Sequence, residues 1–202
     1  KYVRCNHYGM RASIGKRDTP ITPPTTVDYN LWLGPAQDIP IMREKFHYDW
    51  HWQWAYGNGD IGNQGPHQLD VARWGLGNPD LLPKRVMSFG GRWGYDDDGE
   101  SANNQLAFYQ WAEGAPMLFD NRGLPMKDMN WAKGYEPVFR INGKTGAPRI
   151  GNVIHCEGGF VAESKAYDNE GQTLTKFEDF DEGKDHMKNF IDSVRAGKIT
   201  KD

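Results

Sequence analysis

The residues best suited to chemistry lie in one short stretch, Tyr56–Asp70, "YGNGDIGNQGPHQLD". Four glycines, Gly57, Gly59, Gly62 and Gly65, lead to His67. A neutral imidazole titrates near neutrality and can take or give a proton. Asn63, four residues earlier, would share a helix face with it. Glycines at such a place let backbone come close to a flat ligand. Taken alone, His67 reads as an ordinary surface histidine of a helix.

Gly57, Gly59 and Gly62 also spell the letters of a dinucleotide-binding fingerprint. That motif requires a buried strand before it and a helix after it. What precedes it is "FHYDWHWQWAY", which is no aliphatic strand. About 20 residues on, where an acidic group should meet the ribose, Asp80 sits in a turn beside Pro79. The glycines need another explanation.

The elements around the stretch follow from periodicity. Phe46, Tyr48, Trp50, Trp52, Trp54 and Tyr56 occupy successive even positions, with His47, Asp49, His51 and Gln53 between them. Period two predicts an extended segment with an aromatic face, either packed in a core or open as a sugar platform. His47 and His51 also have the spacing of a helical metal pair, but extended periodicity and the missing Glu argue against it. From Asn63, read as an N-cap, Leu69, Ala72 and Leu76 recur at helical spacing, and Gly75 and Gly77 end the helix.

Strand signals dominate the rest. "KYVRC" is a short strand, and "RDTPITPPTT" an extended linker. "RVMSFGGRW" runs to the acidic turn "YDDDGE", whose Asp96–Asp98 triplet reads as solvated. "NQLAFYQWA" and "PMLFDNR" flank Glu113-Gly114, and "RIGNVIHCE" and "FVAES" flank Gly158-Gly159, so both pairs read as antiparallel hairpins. Residues 124–148 read as irregular. Met187, Phe190, Ile191 and Val194 line one face of a helix stopped by Gly197. The class is α+β: an open, mostly antiparallel sheet with helices packed on one face.

Composition narrows the function. The chain has 202 residues and a net charge of −3 without a basic stripe, which argues against nucleic acid. No apolar run suits a membrane span. Cys5 and Cys156 have no metal or redox spacing and read as buried small apolar groups. Eight Trp, nine Tyr and nine Phe accompany a mean hydropathy of −0.78. Aromatics in a polar chain suit sugar recognition and suit an ordinary core equally. Lys1 begins no signal-peptide pattern, which leaves a cytoplasmic and an exported location both open.

"GNGDIGNQGPHQLDVARWGLG" resembles a segment of the Gfo/Idh/MocA oxidoreductase family, in outline G-G-G-x-x-x-D-x-G-x-H-x-x-D-x-x-R-W. Gly57, Gly59, Gly65, His67, Asp70, Arg73 and Trp74 match. "DYNLWLGPA", "FHYDWHWQWAYGNGDIGNQG" and "GGRWGYDDDGE" are similar to a bacterial subgroup, so the likeness runs from Cys5 to Gly197. It implies the family's second domain, at 29–202 and short of its final helices. Residues 1–28 would be the end of, and linker from, a Rossmann domain that binds NAD or NADP. No cofactor and no metal would then be held by this chain. The implied roles are His67 and Asn63 as catalytic residues and His51, Trp54, Asp60 and Gln64 as substrate contacts. The implied substrate is a sugar or polyol derivative, and the implied partners are the Rossmann domain and further copies of the chain. Asn63 departs from the family, which carries Asp there. Two alternatives remain: glycoside cleavage that uses NAD without net redox, and a non-catalytic sugar-binding or assembly domain.

Overall fold

A computed structural model describes residues 1–77, 82–124, 139–141, 144–146, 150–162, 164–177 and 182–199. Strand β1, Tyr2–His7, lies in the middle of an open sheet. Three short helices follow it: α1 (Tyr29–Leu33), α2 (Asp60–Asn63) and α3 (Gly65–Gly75). Next come β2 (Arg85–Gly91), β3 (Asn104–Gln110) and β4 (Met117–Arg122), a small separate hairpin β5–β6 (Phe139–Ile141, Lys144–Gly146), then β7 (Ile150–His155), β8 (Phe160–Ala162), β9 (Lys165–Tyr167) and β10 (Thr173–Lys176). Helix α4, Glu182–Ala196, comes last.

The sheet order is β10-β9-β8-β7-β1-β4-β3-β2. Every neighbouring pair is antiparallel except β1 with β4, which is parallel. Both expected hairpins form, β3–β4 across Gly114 and β7–β8 across Gly158-Gly159. The result is an α+β fold with a mostly antiparallel open sheet.

The core lies between the sheet and α3. Val3 and Cys5 of β1, Ala107 of β3 and Met117 and Phe119 of β4 meet Ala72, Leu69 and Leu76 of α3. Alternation along each strand sends these side chains to one face. Burial pushes the Cys5 thiol up to about 12, so it packs as an inert apolar group. The strand expected at Lys1–Cys5 forms as β1 and lies between β4 and β7 in the sheet.

Several expectations are corrected. Residues 46–56 are not extended: Asp49–Trp52 is a 3₁₀ turn. Phe46 and Trp52 are buried while Tyr48 and Trp54 are exposed, so the aromatics share no face. Phe46 and Tyr56 of the row, together with Trp32, stack on the guanidinium of the fully buried Arg43 at 4.9, 5.1 and 5.2 Å. A buried cation needs such a box, and tertiary packing has overridden the local period. Asn63 is the last residue of α2 and not an N-cap. Gln64 takes the N-cap place of α3 without a side-chain hydrogen bond. Cys156 is exposed.

The acidic triplet is not simply solvated either. Asp97 accepts from Arg92 through Nε and Nη2, from Ser13 Oγ and from the Ile14 and Gly99 amides. Asp98 caps the Arg17 amide and Asp96 pairs with Lys16, so the triplet stitches residues 13–17 onto the body. The irregular segment expected at 124–148 falls mostly outside the described residues. The apolar stripe of α4 forms as expected, yet Met187, Phe190, Ile191 and Val194 all remain exposed.

Candidate functional site

The glycine stretch turns sharply between the 3₁₀ turn and α2. The Gly59 amide donates to the His51 carbonyl at 2.7 Å, and the Gly59 carbonyl accepts from the Asn63 amide at 3.1 Å. A Cβ on Gly57 would lie 2.7 Å from His51 Cα. One on Gly59 would lie 2.9 Å from the Ala102 carbonyl, and its φ of +73° is left-handed as well. Close backbone packing, then, is what these two glycines provide. The loop follows a 3₁₀ turn rather than a strand, and its closest neighbours are protein backbone. These residues do not fit a dinucleotide pyrophosphate.

Asp60 anchors the turn from inside. Its side chain has no exposed surface. Arg11 Nη2 donates to Oδ1 at 2.6 Å, and Arg11 Nε lies 3.1 Å from both oxygens. Arg11 also donates from Nη1 to the Tyr48 hydroxyl, while its carbonyl accepts from Tyr95. His7, at the end of β1, donates from Nδ1 to Asn121 Oδ1 at 2.7 Å and brings that nitrogen within 3.8 Å of Asp60. A buried carboxylate needs such pairing. No local sequence signal marks Arg11, because its partner lies 49 residues away.

The two residues singled out for chemistry occupy the other side of this turn. Asn63 and His67 are both exposed. Gln64 between α2 and α3 is itself helical, at φ −87° and ψ −30°, so the two helices run on almost continuously. Residues four apart then lie one turn above each other. His67 borders a shallow open groove along α3 with Asp70, Arg73 and Trp74.

The expected substrate contacts divide. Trp54 is 61% exposed, with its amide held by Glu100. Gln64 is half-buried and donates to Gln68. His51 is buried: Nδ1 donates to the Tyr48 carbonyl at 2.6 Å, and burial lowers its pKa, so the ring is held neutral. Asp60 and His51 are both buried beneath the turn. Among the described residues no group of three or more His, Cys, Asp or Glu side chains could hold a metal. No described helix is long and apolar enough to cross a membrane.

The model of an oxidoreductase family's C-terminal alpha/beta domain, that of Gfo/Idh/MocA, matches residues 11–151. The chain belongs to this family. No curated protein matches it. The match begins at Arg11 and spans the glycine turn, α3 and the strands β2 to β4. In Gfo/Idh/MocA terms, the described fold is that of the C-terminal domain.

Proposed function

We propose that this domain forms the substrate side of an NAD(P)-dependent oxidoreductase acting on a sugar or polyol derivative, and that it also carries contacts between subunits. The observation behind the reading is the placement of Asn63 and His67. They lie one helical turn apart, both exposed, on a turn locked from behind by Gly59 and by the Arg11–Asp60 pair. Rigid support of that kind suits groups that must meet a reacting atom.

His67 accepts the proton of a substrate hydroxyl at an imidazole nitrogen as the carbon beneath it is oxidised. Asn63 orients that hydroxyl or the imidazole through its amide, and it adds no charge. The family's partner domain, which binds the dinucleotide, would supply the oxidant, since the glycine turn here does not fit one. Exposed Trp54 and Trp74 offer flat apolar faces for C–H groups of a ring.

The test is a screen of cyclic and linear polyols with the protein carrying both domains. Reduced nicotinamide formed by wild type and lost in His67→Ala supports the reading. Release of a free sugar without net cofactor change would replace oxidation by glycoside cleavage. Sugar binding without turnover would leave a binding domain.

A further inference from the structure

Strands β2, β3 and β4 send alternate side chains to the two faces of the sheet. Ala107 and Phe119 face α3. Leu106 and Asp120 are partners across the sheet and point the other way, as does Phe89 opposite Leu106. On that second face, where β2 ends at Gly91, lies an open pocket of about 290 Å³. Phe89, Trp93, Asn104 and Arg122 are among the residues that line it. Its size is at the lower end of small-molecule sites and suits a single six-membered ring.

The wall of the pocket is an exposed aromatic pair held from behind. Phe89 is 72% and Trp93 46% exposed, with ring centroids 6.2 Å apart and planes inclined at 56°. The Trp93 amide donates to Asn103 Oδ1 at 3.0 Å, and Asn103 Nδ2 donates back to the Trp93 carbonyl at 2.9 Å. Asn103 has no exposed surface, so the clamp is rigid. The indole lies over Gly91, where a Cβ would come 2.5 Å from Trp93 Nε1. A large apolar ring is thus held in one orientation with much of its surface in water, the arrangement of a binding wall.

The floor is polar, with positive charge in excess. Asp120 accepts from Arg122 at 2.8 and 2.9 Å, from Arg4 at 2.7 Å and from the Tyr8 hydroxyl at 2.9 Å. Burial alone would raise its pKa, but the bonds from Arg122, Arg4 and Tyr8 hold it below the ordinary value. Two guanidiniums therefore share one carboxylate, and Arg122 is partly exposed where it lines the pocket. Beside it Asn104 donates from Nδ2 to Asn103 Oδ1, which fixes Asn104 Oδ1 as an acceptor.

From these observations we infer that the pocket binds a monosaccharide carrying a carboxylate, a hexuronate. The C–H face of the ring stacks on Trp93, with Phe89 along its edge. The carboxylate meets the excess charge at Arg122. Asn104 Oδ1 accepts from a ring hydroxyl. Helix α3, which carries His67, packs on the opposite face of the sheet, so this site does not depend on the chemistry proposed there.

Calorimetric titration of the chain with glucuronate, glucose and benzoate tests the site. Glucuronate should bind with a Kd in the millimolar range, and glucose, which lacks the charge, on the order of 10-fold more weakly. Trp93→Ala should weaken glucuronate by about 10-fold, and it keeps the fold because the clamp on residue 93 is to backbone. Arg122→Gln should erase the preference for glucuronate over glucose, with Asp120 still held by Arg4 and Tyr8. A preference that survives in folded Arg122→Gln overturns the carboxylate. Benzoate binding as tightly as glucuronate overturns the sugar in favour of an aromatic acid. The site itself is overturned if none of the three binds, or if glucuronate binding is lost in Trp74→Ala and intact in Trp93→Ala.

Discussion

The Arg11 guanidinium closes on the buried Asp60 carboxylate, with Nη2 2.6 Å from Oδ1. The pair joins the chain just after the central strand to the first turn of α2. Asn63 follows Asp60 by three residues. Arg11→Ala would leave an unpaired carboxylate in the interior, a change that costs about 3–5 kcal/mol. Denaturant unfolding should show that loss, and Arg11→Lys, which keeps the charge but not the fork, should recover only part of it.

Asp97 makes a pH prediction. Burial alone would raise its pKa, but hydrogen bonds from Arg92, the Ile14 amide and Ser13 outweigh that and hold it at about 2. Its unfolded value is about 3.9. The folded value is the lower one, so its contribution is present above the unfolded pKa and is lost as pH falls from about 4 toward 2. The loss should be roughly 2–3 kcal/mol, seen as a falling denaturation midpoint. Asp97→Asn should be less stable at neutral pH and should lack this acid limb.

Much of the sheet was legible because alternation and turn glycines act locally. Gly114 and Gly159 take positive φ where the hairpins turn, and Val3, Cys5 and Phe119 alternate into the core. The helix at Leu69, Ala72 and Leu76 was legible for the same reason. The aromatic run misled because its order is set by Arg43, a buried cation that draws Phe46 and Tyr56 around itself whatever their spacing. Asn63 looked like a cap by residue type, yet helical geometry already begins at Asp60. The Arg11–Asp60 pair that anchors the candidate turn, like the Arg92–Asp97 pair that ties residues 13–17 to the body, involves loops whose order appears only once the fold brings them together. His67 was legible as an exposed helix residue. Its role rests on chemistry the fold alone does not perform.

Gly59 gives a prediction about that support. Gly59→Ala forces a side chain into left-handed backbone and places its Cβ 2.9 Å from the Ala102 carbonyl. Gly15→Ala faces the same kind of φ, +78°, with nothing within 4 Å. The backbone term is about 1–2 kcal/mol at either position. Gly59→Ala should therefore cost distinctly more than Gly15→Ala in thermal unfolding, the difference measuring the close approach. Equal costs would mean that the turn relaxes freely and supports Asn63 weakly.

The final prediction concerns Asn63 and His67 in the protein carrying its dinucleotide domain. His67→Ala should lower turnover by about 10²–10⁴-fold, the usual contribution of a positioned acid or base. Its stability should barely change, because the side chain is exposed. Asn63→Asp should also leave stability nearly unchanged, since Asn63 ends α2 and caps nothing. It would place a carboxylate one turn below the imidazole and favour the protonated ring. A base must be neutral to accept a proton, so the acid limb of the pH–rate profile should move to higher pH. Salt should shrink the movement, because both groups are exposed and screened. An unchanged acid limb in Asn63→Asp, together with wild-type turnover in His67→Ala, would remove His67 from the chemistry and leave it a surface residue of α3.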